Sequence, residues 1–294
     1  MQGSAVAQSL LQSQQNFIVQ ALTCKPESEK AQQLSRLSAD VVKADGFNDN
    51  EMKAALRDAW GFWLNTHHHD PIYTDTKAVT TPGRPTNEDL GHCLVALAAD
   101  VGVKVFIYST RESPAKLTNG KAPVPGMDAK RRVELFAREF KEFEAVIRAW
   151  PAWYFENFIN PEYAKAFGGF SIYTDDEGYL TFTSPRVGGQ EKVQTISMAD
   201  DFGEMVHGMF LSPQVWNYCT IPCMSDSFSY KNMVRTFMED LYMDFPMHEN
   251  TVLVELRDVY RYMQSTNGCR ERSRMFGARK KRSLSELSHP TRDG

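Results

Sequence analysis

The segment Asp128–Trp150, DAKRRVELFAREFKEFEAVIRAW, decides how the fold reads. Its apolar residues Val133, Phe136, Phe140, Phe143, Ile147 and Trp150 recur at 3-4-3-4-3 spacing. That is the period of a narrow helical seam packing against other helices. The same period extends outward. Asn48-Asp49-Asn50-Glu51 opens a helix through about Asn65, with Met52, Leu56, Trp60 and Trp63 inward. Thr86-Asn87-Glu88-Asp89 opens another through about Asp100, with a cap and an acidic first turn that suit the helix dipole. Ser197–Leu211, Ser227–Met243 and Glu249–Met263 carry similar stripes. Two β signals interrupt them, a short run at 103–108 and a hairpin over 170–184, FSIYT and YLTFT about the turn DDEG. The expected fold is therefore mainly α, a helical-bundle core with one β-hairpin and flexible N- and C-terminal arms.

The arms come from composition. Residues 1–45 are rich in Gln, Ser and Ala, and their thin apolar stripe suits docking on a neighbour. Residues 46–265 form the expected core and 266–294 a basic tail. The chain has 294 residues, with 33 Lys+Arg against 37 Asp+Glu. From Gly268 onward there are eight basic and three acidic residues, so an acidic body carries a basic end. Such asymmetry points to an arm that meets a polyanion. No apolar run reaches the ~20 residues of a membrane span. The N-terminal residues lack the basic start of a secretory signal. Five scattered cysteines suit free thiols better than a disulfide framework.

Catalytic patterns are sparse. His67-His68-His69-Asp70 sits in a proline-containing loop, where an extended backbone lets at most two imidazoles face one metal. No GxGxxG, GxxxxGK[ST] or GxSxG occurs. Neither an enzyme, nor a cofactor, nor a metal is expected on this reading.

Short motifs in the C-terminal third suggest a family. Ser212–Tyr218, SPQVWNY, resembles the Ala-Pro-Val-Val-Trp-Asn-Trp segment of potexvirus-type coat proteins, and Tyr242-Met243-Asp244-Phe245 their Ala-Phe-Asp-Phe. Leu256–Met263 and Ser273-Arg274-Met275-Phe276-Gly277 resemble potyvirus coat-protein runs, as does Ala152–Asn157. The resemblance, to the coat proteins of flexuous filamentous plant RNA viruses, implies a virion subunit, found also in host cytoplasm. Such a subunit polymerises with itself through its arms around single-stranded RNA. It implies phosphate contacts at Arg186, Lys192, Lys231, Arg235, Arg257, Arg274, Arg279, Lys280, Lys281 and Arg282, with Asp244 ordering the groove. The alternative is a non-viral helical interaction protein whose basic tail is regulated by phosphorylation at Ser283 or Ser285.

Overall fold

The 3-4 seam does not run through one helix. The computed structural model describes residues 1–66, 86–170, 182–183 and 192–240, and in it the segment splits. A helix covers Pro125–Ala137 and a strand Ala145–Pro151. Ala-Val-Ile-Arg-Ala-Trp-Pro is buried along nearly its whole length, and a strand covered on both faces shows no polar alternation. The same division recurs upstream. Asp49–Leu56 is helical, with Asn48 accepting from the Glu51 N–H, but Asp58 turns the chain at φ 65° and Gly61–Leu64 is a strand.

In chain order the elements are α1 (Gln2–Leu11), β1 (Gln20–Thr23), α2 (Glu29–Arg36), β2 (Asp40–Lys43), α3 (Asp49–Leu56), β3 (Gly61–Leu64), α4 (Asn87–Asp100) and β4 (Val105–Ser109). Next come α5 (Pro114–Leu117), α6 (Pro125–Ala137), β5 (Ala145–Pro151), β6 (Trp153–Tyr154), a 3-10 turn (Phe155–Phe158) and α7 (Pro161–Phe167). Then follow β7 (Gly169–Phe170), β8 (Phe182–Thr183), β9 (Lys192–Ile196), α8 (Phe202–Leu211), α9 (Pro213–Trp216), β10 (Thr220–Cys223), β11 (Asp226–Ser229) and α10 (Tyr230–Asp240). Residues 1–45, read above as an arm, thus hold two helices and two strands.

The mainly helical expectation is overturned: the core is parallel sheet between two helical layers. β10, β5, β4 and β3 lie side by side in that order, all parallel, and β1 pairs with β2 in a second parallel sheet. On one face α3, α4 and α6 bury Leu56, Leu94, Val95, Ala98 and Val133 against Phe62, Phe106 and Tyr108. On the other, α1 and α8 bury Val6, Phe202, Val206 and Met209 against Val105, Ile107 and Ile147. Each fully buried side chain of this size contributes about 1.5–3 kcal/mol through removal from water. Parallel strands joined by helical crossovers, with helices on both faces, make a doubly wound α/β fold.

Helix contacts are close where residues are small. A Cβ on Gly203 of α8 would lie 2.2 Å from the Ala5 carbonyl oxygen of α1, so only glycine lets the two backbones approach this far. The α4 start follows the sequence reading: Thr86 accepts from the Asp89 N–H while Asp89 accepts from the Thr86 N–H. The expected hairpin survives as the antiparallel pair β7–β8, with Phe170 opposite Phe182; its turn lies outside the described residues. These two phenylalanines join Phe158, Tyr230 and Met233 in a small aromatic core beside the sheet β11-β9-β6.

Candidate active site

In a doubly wound fold, chemistry gathers at the carboxyl ends of the strands. Here Asn65 and Thr66 follow directly on β3, Ser109 closes β4 with Thr110 next, and α6 passes beside both with Lys130. The Lys130 ammonium donates to Asn65 Oδ1 at 2.6 Å and to the Ser109 carbonyl oxygen at 3.0 Å, and lies 5.5 Å from the centre of the Tyr108 ring. Burial, and then the charge of Arg111, lower its pKa from 10.5 to about 7. The Tyr108 and Thr66 hydroxyls, both buried, hydrogen bond at 2.7 Å.

A buried ion network holds α6 against β5. Glu112 accepts from Arg131 Nε at 2.8 Å and from Arg148 Nη1 at 3.1 Å. Glu134, fully buried, meets Arg131 and, at 2.5 Å, Arg138 Nε. Burial pushes the Glu112 carboxyl up, but Arg148 and Arg131 together outweigh it and hold the group below the ordinary glutamate range. Asp128 fixes the segment between β4 and α6 by accepting from Ser113 Oγ at 2.5 Å, the Ala115 N–H at 3.0 Å and the Val124 N–H at 2.8 Å. These contacts set the register of α6, and with it the position of Lys130.

The first turn of α1 faces the same edge. Its N-terminal end carries no acidic residue and no side-chain cap, and a Cβ on Gly3 would meet nothing within 4 Å. Gln2 donates to the Tyr154 hydroxyl just beyond β5, and its own Oε1 is buried with no partner. After β1 the chain runs Thr23-Cys24-Lys25, with no carboxylate before Glu27.

The sequence-derived site residues do not assemble here. Lys192 lies on β9, and Lys231 and Arg235 on α10, all exposed and none in contact with Lys130. Arg186, Asp244, Arg257, Arg274, Arg279, Lys280, Lys281 and Arg282 lie outside the described residues, as does His67–Asp70. Among the described residues no group of three or more His, Cys, Asp or Glu is arranged to hold a metal.

Residues 1–251 match the model of the NmrA-like family. The chain belongs to the NmrA-like family. Relatives within it include the NmrA-like family domain-containing oxidoreductase FrzB of a Cladobotryum species, 36% identical over 282 residues that cover 91% of this chain and 82% of that protein. Another is the NmrA-like family domain-containing oxidoreductase hkm9 of Aspergillus hancockii, 41% identical over 236 residues, 80% of this chain and 68% of that one. Among solved structures, Nmra, a negative transcriptional regulator, in complex with NAD superposes with a TM-score of 0.65 at 18% identity, over 84% of this chain and 72% of that one.

Membership in the NmrA-like family overturns the coat-protein resemblance, together with the virion location, single-stranded RNA partner, helical self-assembly and non-enzymatic role drawn from it. The non-viral interaction-protein alternative receives no support either. The residues of the misleading motif have structural tasks. Trp216 is buried under β5, and Asn217 Oδ1 accepts from the Val146 N–H at 3.0 Å. Lys130 and its partners escaped the sequence reading. Their one trace was polar residues on faces otherwise apolar: Lys130 and Glu134 beside Val133 and Ala137, and Arg148 inside Ala-Val-Ile-Arg-Ala-Trp.

Proposed function

We propose that this protein is an oxidoreductase that binds a nicotinamide dinucleotide along the carboxyl edge of its parallel sheet and uses Lys130 to assist hydride transfer to or from a polarised double bond. The carrying observation is the ammonium of Lys130, held at the carboxyl ends of β3 and β4 with a pKa of about 7. A buried lysine with a lowered pKa costs stability, and such groups concentrate where a proton must be moved near neutral pH. The oxidoreductase names of its relatives support the same reading.

The residues present fit the cofactor at two points. The first turn of α1, lacking carboxylates and open at Gly3, suits a phosphate group. Thr23-Cys24-Lys25 after β1 offers a cation and no acid where a ribose or its phosphate would lie. When bound, the nicotinamide ring supplies or accepts the hydride. The chain's own part is positional and protic. Asn65 Oδ1 and the Ser109 carbonyl orient the ammonium. The Asp128 contacts and the Glu112–Arg131–Arg148 network hold α6 in register. Lys130 then donates a hydrogen bond or its proton to the heteroatom of the reacting double bond, or receives that proton in the reverse direction.

The test is steady-state oxidation of NADPH and NADH against a panel of quinones, imines and enones, with Lys130→Met and Lys130→Arg in parallel. Loss of a general acid costs about 10²–10⁴-fold in kcat. In the reducing direction kcat/KM falls as pH rises through about 7, the pKa of Lys130. Full activity of Lys130→Met would remove Lys130 from the reaction.

A further inference from the structure

β5 outlasts β4 at the carboxyl edge. The two strands pair in parallel as far as Ser109 opposite Ala149, and the Thr110 N–H donates to the Ala149 carbonyl. β5 then runs on to Pro151. Carbonyls that face one neighbour recur at every second residue, so the next one turned towards β4 belongs to Pro151. Arg111 Nη2 donates to it at 3.3 Å. The half-buried Arg111 side chain thus takes the place of the strand that has ended, and its guanidinium is held over the carboxyl edge. A guanidinium has five N–H donors, and this bond uses one of them. The Ser109 carbonyl, which accepts from Lys130, lies on the neighbouring strand two residues back in register. At ordinary sheet spacings the two anchoring carbonyls stand about 8 Å apart.

Neither cation meets a carboxylate. Lys130 rests on Asn65 Oδ1 and the Ser109 carbonyl, and Arg111 on the Pro151 carbonyl, all neutral oxygens. Among the described residues no ion pair reaches either side chain. The acids that flank this edge in the chain are engaged elsewhere. Glu112 serves Arg131 and Arg148, and Asp128 accepts from Ser113, Ala115 and Val124. Glu156 Oε1 accepts from the Met198 and Ala199 N–H groups at 2.8 and 3.1 Å. The charge of Arg111 is felt across the site. After burial it is what lowers the Lys130 pKa, and at Tyr154, where burial raises the hydroxyl, Gln2 and Arg111 work against the rise. Two cations held close, with no acid of the chain between them, are complementary to an anion brought from outside.

We propose that Arg111 and Lys130 form a subsite for substrates that carry a carboxylate, which the Arg111 guanidinium holds while the reacting heteroatom meets Lys130. The inference rests on the oxidoreductase reading for the reacting group and adds the charge of the substrate. Arg111 is its specificity-determining residue. A guanidinium grips a carboxylate through two parallel charge-assisted N–H···O bonds, whereas a neutral ester offers it no charge. The anchoring of both cations fixes their separation, so the favoured substrate carries its carboxylate a few atoms from the reacting double bond. The phosphates of a dinucleotide are the rival anions. The first turn of α1, which suits a phosphate, meets this edge where Gln2 donates to Tyr154, three residues beyond Pro151. The experiment therefore separates the two sources of negative charge.

The probe is 3-benzoylpropionate, which carries a carboxylate and a ketone and has no alkene for a thiol to attack. Methyl 3-benzoylpropionate is its uncharged twin. Binding of each to the full chain is titrated calorimetrically without dinucleotide, so neither turnover nor cofactor binding enters the readout. The wild type is expected to bind the carboxylate about 10- to 100-fold more tightly than the ester, and Arg111→Lys to keep part of that preference. Arg111→Gln brings acid and ester within about threefold of each other, while its affinities for the ester and for NADPH stay within about threefold of wild type. Equal affinity of the wild type for acid and ester overturns the proposal, as does an Arg111→Gln variant that keeps the preference. A loss of NADPH affinity in Arg111→Gln as large as its loss of carboxylate affinity also overturns it, by assigning Arg111 to a cofactor phosphate. If Arg111→Gln does not fold, as judged by circular dichroism, the wild-type comparison of acid and ester decides alone. A preference kept by a chain that binds neither NADPH nor NADH upholds the subsite and overturns the oxidoreductase reading instead.

Discussion

Replacing Lys130 with methionine separates two consequences of burying an ammonium. The folded protein holds Lys130 at about 7 rather than 10.5, so between those values the unfolded chain binds more protons than the native one. Stability therefore rises with pH across this window, and the deficit is complete below about pH 7. At about 1.4 kcal/mol for each tenfold change, the full displacement corresponds to at most about 4–5 kcal/mol. Lys130 as a residue is only partly buried, and solvent screening reduces that to about 2–3 kcal/mol. Methionine has no proton to lose, so Lys130→Met removes the pH-dependent component. It also leaves Asn65 Oδ1 and the Ser109 carbonyl without their donor, a pH-independent cost of about 1–3 kcal/mol. The assay is urea unfolding of both proteins, followed by tryptophan fluorescence at several pH values from 6 to 10. The wild-type free energy is expected to climb relative to the variant as pH rises, by up to about 1.4 kcal/mol per pH unit where the slope is steepest. Parallel curves would refute the reasoning, because they would mean that the ammonium titrates alike in folded and unfolded chains.

Three further outcomes follow from packing and charge. Gly203→Ala, whose Cβ would lie 2.2 Å from the Ala5 carbonyl oxygen, forces α1 away from α8 and is expected to cost about 1–3 kcal/mol in chemical denaturation. Glu134→Gln leaves the fully buried meeting point of Arg131 and Arg138 without its negative charge, and is expected to cost about 3–5 kcal/mol in the same assay. Because Glu112 is held below the ordinary glutamate range, its contribution is present above the unfolded glutamate pKa and lost as pH falls through the lower folded value. Acid titrations of wild type and Glu112→Gln should therefore converge as pH falls.

Much of the local structure was legible, yet the fold was not. Thr86–Asp89 announced α4 through its cap, and the apolar run ahead of Ser109 announced β4, because each signal lies within a few residues. The error came from helix–strand pairs read as single helices. Phe140 and Phe143 lie in the connection after α6 and Ile147 in β5, yet their spacing continues the period of Val133 and Phe136. Trp60 and Trp63 extend the stripe of α3 in the same way, and Val41 and Val42 follow α2. Four- to seven-residue strands covered by helices on both faces carry no period-2 signature, so nothing local marks where the helix ends. Length was the available arbiter. A 23-residue helix over 128–150 without a cap at its end is long for a globular domain, and the two clustered β-branched residues Val146 and Ile147 argue for a strand. The site was less legible still. Asn65, Ser109 and Lys130 come from three elements, and they meet only when β3 and β4 lie parallel with α6 alongside. The aromatic motifs that suggested a coat protein mark packing instead, since Trp216 and Asn217 dock α9 on β5.

The central claim is that the carboxyl edge of the parallel sheet holds a nicotinamide dinucleotide beside Lys130. Amide hydrogen exchange of the full chain, with and without saturating NADPH or NADH, tests this most directly. Slowed exchange confined to the first turn of α1, residues 65–66 after β3 and residues 110–112 after β4 is the expected result. No change at these segments with either dinucleotide, or protection centred on the small aromatic lobe of Phe158, Phe170 and Tyr230, would contradict the account.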